Sequence, residues 1–173
     1  MAELPELPEH VKAWIGKSLI EDEGEFDIEQ GYIATSCASV QNGNPLFWDK
    51  KVAQEITGGA IAPPSMLSVW IRPHFWAPGR TEQRWPLELH FRLKKELELP
   101  EAIVGNNEII FGEPVRLGDK LRCKQTLRSI GEPKTNKLGT GRFWTLDVDY
   151  LNQRDEWVDT ESYSFFGYRR GEA

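Results

Sequence analysis

Cysteine is almost missing from this sequence: only Cys37 and Cys123 occur in 173 residues. Two lone thiols without ligand spacing make neither a disulfide framework nor a zinc cluster, and they fit buried side chains in a reducing cytoplasm. No apolar run reaches the ~20 residues that span a bilayer, which argues against a membrane protein. The opening "MAELPELPEHVKAW" has neither the positive flank nor the apolar centre of a secretion signal, so a soluble, unprocessed chain is expected. Positive charge is outnumbered, with 21 Lys and Arg against 27 Asp and Glu. The net charge is -6 and no basic block exceeds Arg169-Arg170, so nucleic acid is a poor partner. Glycine-rich phosphate loops, metal-ligand clusters and internal repeats are missing too, and no metal or other cofactor is expected.

What the chain has is apolar and aromatic mass. Hydrophobic residues make up 39% and there are seven tryptophans, enough for one folded core with aromatics to spare for a cavity. The length suits a single domain, residues 1–173. Its front half carries helical signals. "DIEQGYIATSCASV" has small and apolar residues at helical spacing, and Asp49 can cap a turn beginning "KKVAQEI". In "GGAIAPPSMLSVWIRP", Pro63 and Pro64 are tolerated in a first turn, so Ser65 to Ile71 is expected to be a short apolar helix. A second helix is expected in "PLELHFRLKKELELP", where Leu89, Leu93 and Leu97 share a face. The acidic "LIEDEGEFDIE" reads as a solvated helix or loop.

From Val104 the period changes to two. In "LRCKQTL", Leu121, Cys123 and Leu127 alternate with Arg122, Lys124, Thr126 and Arg128. In "FWTLDVDYL", Trp144, Leu146, Val148 and Tyr150 point one way and Thr145, Asp147 and Asp149 the other. "NQRDE" then links this strand to "WVDTESYSFFGYR" as a long antiparallel hairpin. Strands near "NNEIIFGEP" and "DKLRC" complete an α+β arrangement, in which the apolar front helix lies in the concave face of an antiparallel sheet.

Four stretches, "NGNPLFWDKKVA", "GGAIAPPSMLSVW", "FGEPVRLGDKL" and "LGTGRFWTLDVDYLNQRDEWVDTESYSFFGYRR", resemble the MaoC-like hydratase and dehydratase family, in particular its N-terminal-type dehydratase domain. The resemblance runs from about Ile28 to Arg170 and implies a hot-dog fold, a long sheet wrapped around a central helix. In catalytic members an Asp two residues before Asn-Pro and a His two residues after the Pro activate water for addition to a trans-2-enoyl thioester. A Gly N–H at the start of the central helix holds the developing oxyanion. Here those positions carry Asn42, Phe47 and Pro64. Asn42 cannot take a proton, Phe47 can neither accept nor donate one, and Pro64 has no N–H.

The resemblance therefore implies a catalytically silent, substrate-shaping half. A catalytic hot-dog hydratase subunit would pair with it as heterodimer or heterotetramer and supply the Asp and His. An acyl-CoA thioester would be the substrate, with the bulky acyl groups of steroid side-chain breakdown as an extension. The implied tunnel wall comprises Asn44, Phe47, Trp48, Pro63, Ser65, Trp70, His74 and Trp76, and coenzyme A phosphates would meet Arg72, Lys134, Lys137 and Arg142.

Plainer roles stand beside each. Asn42 suits a turn, Asn44-Pro45 shapes a loop, Phe47 and Trp48 pack, Asp49 caps, and Arg80, Arg84 and the other cations are surface charges. His10, His74 and His90 have no acid at a spacing that spells a catalytic pair, and His74 is the one closest to the aromatic loop. Two other functions remain open: a self-sufficient hydratase, or a thioesterase using Asp49 or Glu55, and a binding module that sequesters acyl thioesters.

Overall fold

The computed structural model describes residues 4–171. In chain order the helices are α1 (Glu9–Lys12), α2 (Gln30–Ser39), α3 (Lys50–Thr57), α4 (Leu67–Trp70) and α5 (Glu88–Glu96). The strands are β1 (Ser18–Glu23), β2 (Glu101–Phe111), β3 (Arg122–Ile130), β4 (Lys134–Asn136), β5 (Gly139–Leu151) and β6 (Trp157–Arg169). The sheet runs β1-β3-β5-β6-β2, antiparallel at every step, with the short β4 against the start of β5.

The central hairpin follows from its alternation. Trp144, Leu146, Val148 and Tyr150 are buried on the inner face, while Asp147 and Asp149 lie on the other and meet Ser162 and Thr160 of β6. Gly167 is the inner-face neighbour that lets Trp144 lie flat, because a Cβ there would fall inside the indole ring. Two apolar clusters then fill the concave side. One gathers Leu67, Trp70 and Ile71 of the α4 region with Leu121, Cys123, Val148 and Tyr150. The other gathers Leu89, Leu93 and Leu97 of the α5 region with Leu127, Trp144, Leu146 and Phe165.

Three expectations change. The front helix is shorter than Ser65 to Ile71: Pro64–Met66 form a 3-10 turn and α4 itself spans one turn, with Pro73 following closely and disfavouring helical geometry at the residue before it. It also shares the concave face with α5, whose Leu89 N–H is bonded to Gln125 Oε1 of β3 at 3.0 Å. Finally, the acidic segment holds an edge strand, β1, rather than a free loop or helix. Its acids face bases: Lys124 Nζ lies 3.3 Å from Glu21, Lys120 Nζ 2.6 Å from Glu23, and Arg84 pairs with Asp22. Cross-strand charge pairs and a charged edge are what an antiparallel margin tolerates, so the charge pattern concealed a strand.

Candidate functional site

The loop after α2 is built from its own polar side chains. Asn42 N–H closes the end of α2 on Cys37 O at 2.8 Å, and Asn42 Oδ1 accepts from Asn44 N–H at 3.1 Å. Asn44 Oδ1 accepts from Leu46 N–H at 3.1 Å, and the indole N–H of Trp48 returns to Asn42 O at 2.8 Å. Asp49 Oδ1 accepts from the N–H groups of Lys51 and Val52 at 2.8 and 3.3 Å, an N-cap for α3, which ends at Gly58 in the left-handed conformation (φ 69°). The side chains of Asn42, Asn44, Trp48 and Asp49 are thus engaged in holding the loop's shape.

Phe47 stands where an imidazole would be needed, and it is buried with Ile61, Ala62 and Leu67, its carbonyl held by Gln30 Nε2 at 3.2 Å. Beside it a recess of about 100 Å³ is lined by Trp48, Asp49, Lys50 and Ile61. Pro64 is exposed at the start of the 3-10 turn and offers no donor.

The expected tunnel residues do not share one wall. Asn44 belongs to the loop. Pro63 and Trp70 are packed inside, with Tyr32 set edge-on to Trp70 at 4.7 Å, while Ser65 is exposed. His74 and Trp76 lie on the outer loop, Trp76 with 79% of its surface exposed. A separate cavity of about 90 Å³ opens between α4 and the inner face of the sheet, and its lining includes Ser68, Ile71, Arg72, Gln125, Val148, Tyr150 and Tyr163. Of the residues expected at the site, Arg72 alone is in that lining.

The expected phosphate ligands divide as well. Lys134 and Lys137 are exposed around β4, Lys134 Nζ lying 5.6 Å from the centre of the Phe143 ring. Arg142 is instead buried, donating to Gly131 O at 3.0 Å and Pro5 O at 2.9 Å. Its guanidinium pins the N-terminal segment to β5, and a buried charge committed to two backbone carbonyls is withdrawn from any phosphate outside. Arg80 and Arg84 are held by Glu25 and Asp22.

His74 does acquire an acid through space: its Nδ1 lies 2.7 Å from Glu25 Oε2. Burial works against ionisation of Glu25, but hydrogen bonds from Arg80 and His74 outweigh it and hold the carboxyl below its ordinary value. The other such pair, His10 with Glu96 at 2.7 Å, is on the surface beside Trp14. Among the described residues no group of His, Cys, Asp and Glu could hold a metal ion. Burial pushes the Cys123 thiol up to about 12, which disfavours the thiolate that nucleophilic attack needs.

The polar residues missed by sequence reasoning lie on the inner face of β6. Glu161 accepts from Asn107 Nδ2 at 3.0 Å and from the Tyr150 hydroxyl at 3.4 Å, and Tyr163 lines the same cavity as Tyr150 and Ser68. Burial and the neighbouring Glu161 charge push Asp159 up to about 7. A signal existed: in "WVDTESYSFF" the register opposite Tyr150, Val148 and Leu146 puts Asp159, Glu161 and Tyr163 on the inward side.

A long antiparallel sheet curled over short helices, with a self-capped Asn-Pro loop beside it, is the hot-dog arrangement of the MaoC-like hydratases and dehydratases. The chain belongs to the family described as "FAS1-like, dehydratase domain region", whose model matches residues 13–161. A relative from Thermomonospora curvata, named probable enoyl-CoA hydratase alpha subunit, is 26% identical over 163 residues; the match covers 92% of this chain but only 51% of that protein. The chain thus spans about half the length of that relative.

Among solved structures, the ChsH1-ChsH2 complex from Mycobacterium tuberculosis matches with a TM-score of 0.77 at 19% identity, over 95% of this chain and 90% of that one. A MaoC-like dehydratase from Rhodospirillum rubrum matches with a TM-score of 0.59 at 18% identity, over 90% of this chain and 95% of that one. These structural likenesses establish the fold.

Proposed function

We propose that this chain is one hot-dog domain serving as the silent, substrate-shaping half of a two-subunit enoyl-CoA hydratase or dehydratase. The observation that carries the reading is the fate of three positions: Asn42 is spent on a turn, Phe47 is in the core, and Pro64 has no N–H. In the reaction, water adds across the double bond of an enoyl thioester. The C=C π bond breaks, oxygen bonds to the β carbon, and a proton is delivered to the α carbon. A base must take the water's proton and a donor must hold the enolate oxygen. The partner's Asp, His and backbone donor perform those steps, and this chain provides wall and pairing surface.

Strand β2 supports the pairing. It is an edge of eleven residues, bonded on one side by β6, and it exposes Ile103, Val104, Ile110 and Phe111. A long, apolar, unpaired edge is an unstable feature in isolation and a natural seam for a second sheet. The relative from Thermomonospora curvata is named a subunit, and the ChsH1-ChsH2 structure is a complex, which favours the same reading. Bulky, steroid-type acyl groups are the extension of this proposal. The two buried free thiols suit a reducing cytoplasm, and no described helix is long and apolar enough to cross a membrane.

The Glu25–His74 pair favours a second reading, in which this chain carries a relocated base of its own. The test is hydration of enoyl-CoA by the purified chain and by the chain co-expressed with a hot-dog subunit that retains Asp and His. Turnover by the isolated chain that vanishes in Glu25→Gln and His74→Ala would favour the second reading. Turnover only in the pair, unchanged by those substitutions, favours the first.

A further inference from the structure

The cavity beneath α4 is unlike a plain hydrocarbon slot. Ile71, Val148 and Leu87 supply apolar wall, yet Gln125, Tyr150 and Tyr163 also open onto it from the sheet and Arg72 from its rim. The neighbouring inner-face positions are Leu127 and Leu146, so leucine would have fitted at Gln125 as far as packing is concerned. Gln125 is only 3% exposed, and a buried amide needs its partners.

Its partners are unevenly supplied. Gln125 Oε1 accepts from Leu89 N–H at 3.0 Å, which fixes the orientation of the amide and leaves its NH2 group for other contacts. Across the cavity, the Tyr150 hydroxyl gives its proton to Glu161, which leaves the phenol oxygen as an acceptor. Glu161 is itself held by Asn107, so this phenol is oriented from behind. At about 90 Å³ the space is several times what one water needs. It suits a small apolar group with one oxygen that accepts from Gln125 and Arg72.

We propose that this cavity is a subsite for an apolar acyl terminus bearing a single hydroxyl or keto oxygen remote from the thioester. The proposal deepens the function proposed above and rests on it for the identity of the remainder of the ligand. A keto oxygen meets the donors of Gln125 and Arg72, and a hydroxyl meets those and can also donate to the Tyr150 oxygen. A methyl group in the same place would leave the Gln125 amide unpaired on burial.

Three saturated hexanoyl-CoA derivatives test this, carrying a ketone, a hydroxyl or a methyl branch at the penultimate carbon, titrated calorimetrically into the full chain. The oxygenated ligands are expected to bind about tenfold more tightly than the methyl one. Gln125→Glu, which keeps an acceptor for Leu89 N–H, and Arg72→Met, which leaves the core intact, should each reduce that preference. Equal affinities, or tighter binding of the methyl ligand, would overturn the subsite while leaving thioester binding standing. In parallel, butanone is titrated while the Gln125 side-chain amide is followed by NMR. A perturbed amide without binding of any thioester supports the subsite and removes the hydratase reading. An unperturbed amide and no thioester preference overturn the subsite.

Discussion

Asp159 and Glu161 stand two residues apart on the inward face of β6, and their hydrogen bonding is unequal. Glu161 receives Asn107 and Tyr150, whereas Asp159 is 1% exposed and its Oδ1 has no partner. Burial, with the Glu161 charge added, raises Asp159 to about 7 from an ordinary 3.8. A carboxyl that binds its proton more tightly when folded loses stability as pH climbs from its unfolded value to its folded one. Stability should therefore fall from about pH 4 to about pH 7 and level off above. Asp159→Asn is expected to remove that slope and to stabilise the protein by as much as about 4 kcal/mol above pH 7. Urea midpoints at acid and alkaline pH check it; an unchanged slope in the variant would place the proton elsewhere.

His90 runs the other way. It is buried 4.0 Å from the Phe165 ring with Nδ1 unpartnered, and burial, helped by the Lys94 charge, lowers it to about 4 from 6.5. The folded state holds the neutral ring, so its contribution is whole above the unfolded pKa and is lost as pH falls through about 6.5 toward 4. His90→Phe should flatten that acid limb. An NMR titration of wild-type His90 should show no protonation until the pH nears 4.

Asp49 is the N-cap of α3. Asp49→Ala is expected to cost about 1 kcal/mol, because two N–H groups of α3 lose their acceptor. Turnover of the co-expressed pair should be unchanged once the protein is folded. Selective loss of turnover at full stability would restore a catalytic role for Asp49.

The β2 edge predicts assembly. Val104→Lys and Ile110→Lys place charge on side chains that are already more than half exposed, so the isolated chain should keep its thermal midpoint. On the proposed pairing, association with a hot-dog subunit that carries the Asp and His should weaken at least about tenfold by analytical ultracentrifugation. Unaltered association would mean that the partner docks on another face.

Much of this was legible in the sequence because period and capping are local. The inward run Trp144, Leu146, Val148, Tyr150 and the Asp49 cap depend on neighbours a few residues away, and both are found as expected. What depends on distant partners was hidden. The acids of β1 read as solvated until Lys120, Lys124 and Arg84 came beside them. Arg142 read as a surface cation until Gly131 and Pro5 enclosed it, and His74 gained Glu25 across 49 residues. The polar cavity needed the register of β5 against β6 and of α5 against β3, which no single segment specifies.

The most direct measurement is the rate of enoyl-CoA hydration by the purified chain, alone and co-expressed with a hot-dog subunit carrying the Asp and His. Silence alone and turnover in the pair is the predicted result. Turnover by the isolated chain would contradict it and return the search for a base to His74 and Glu25.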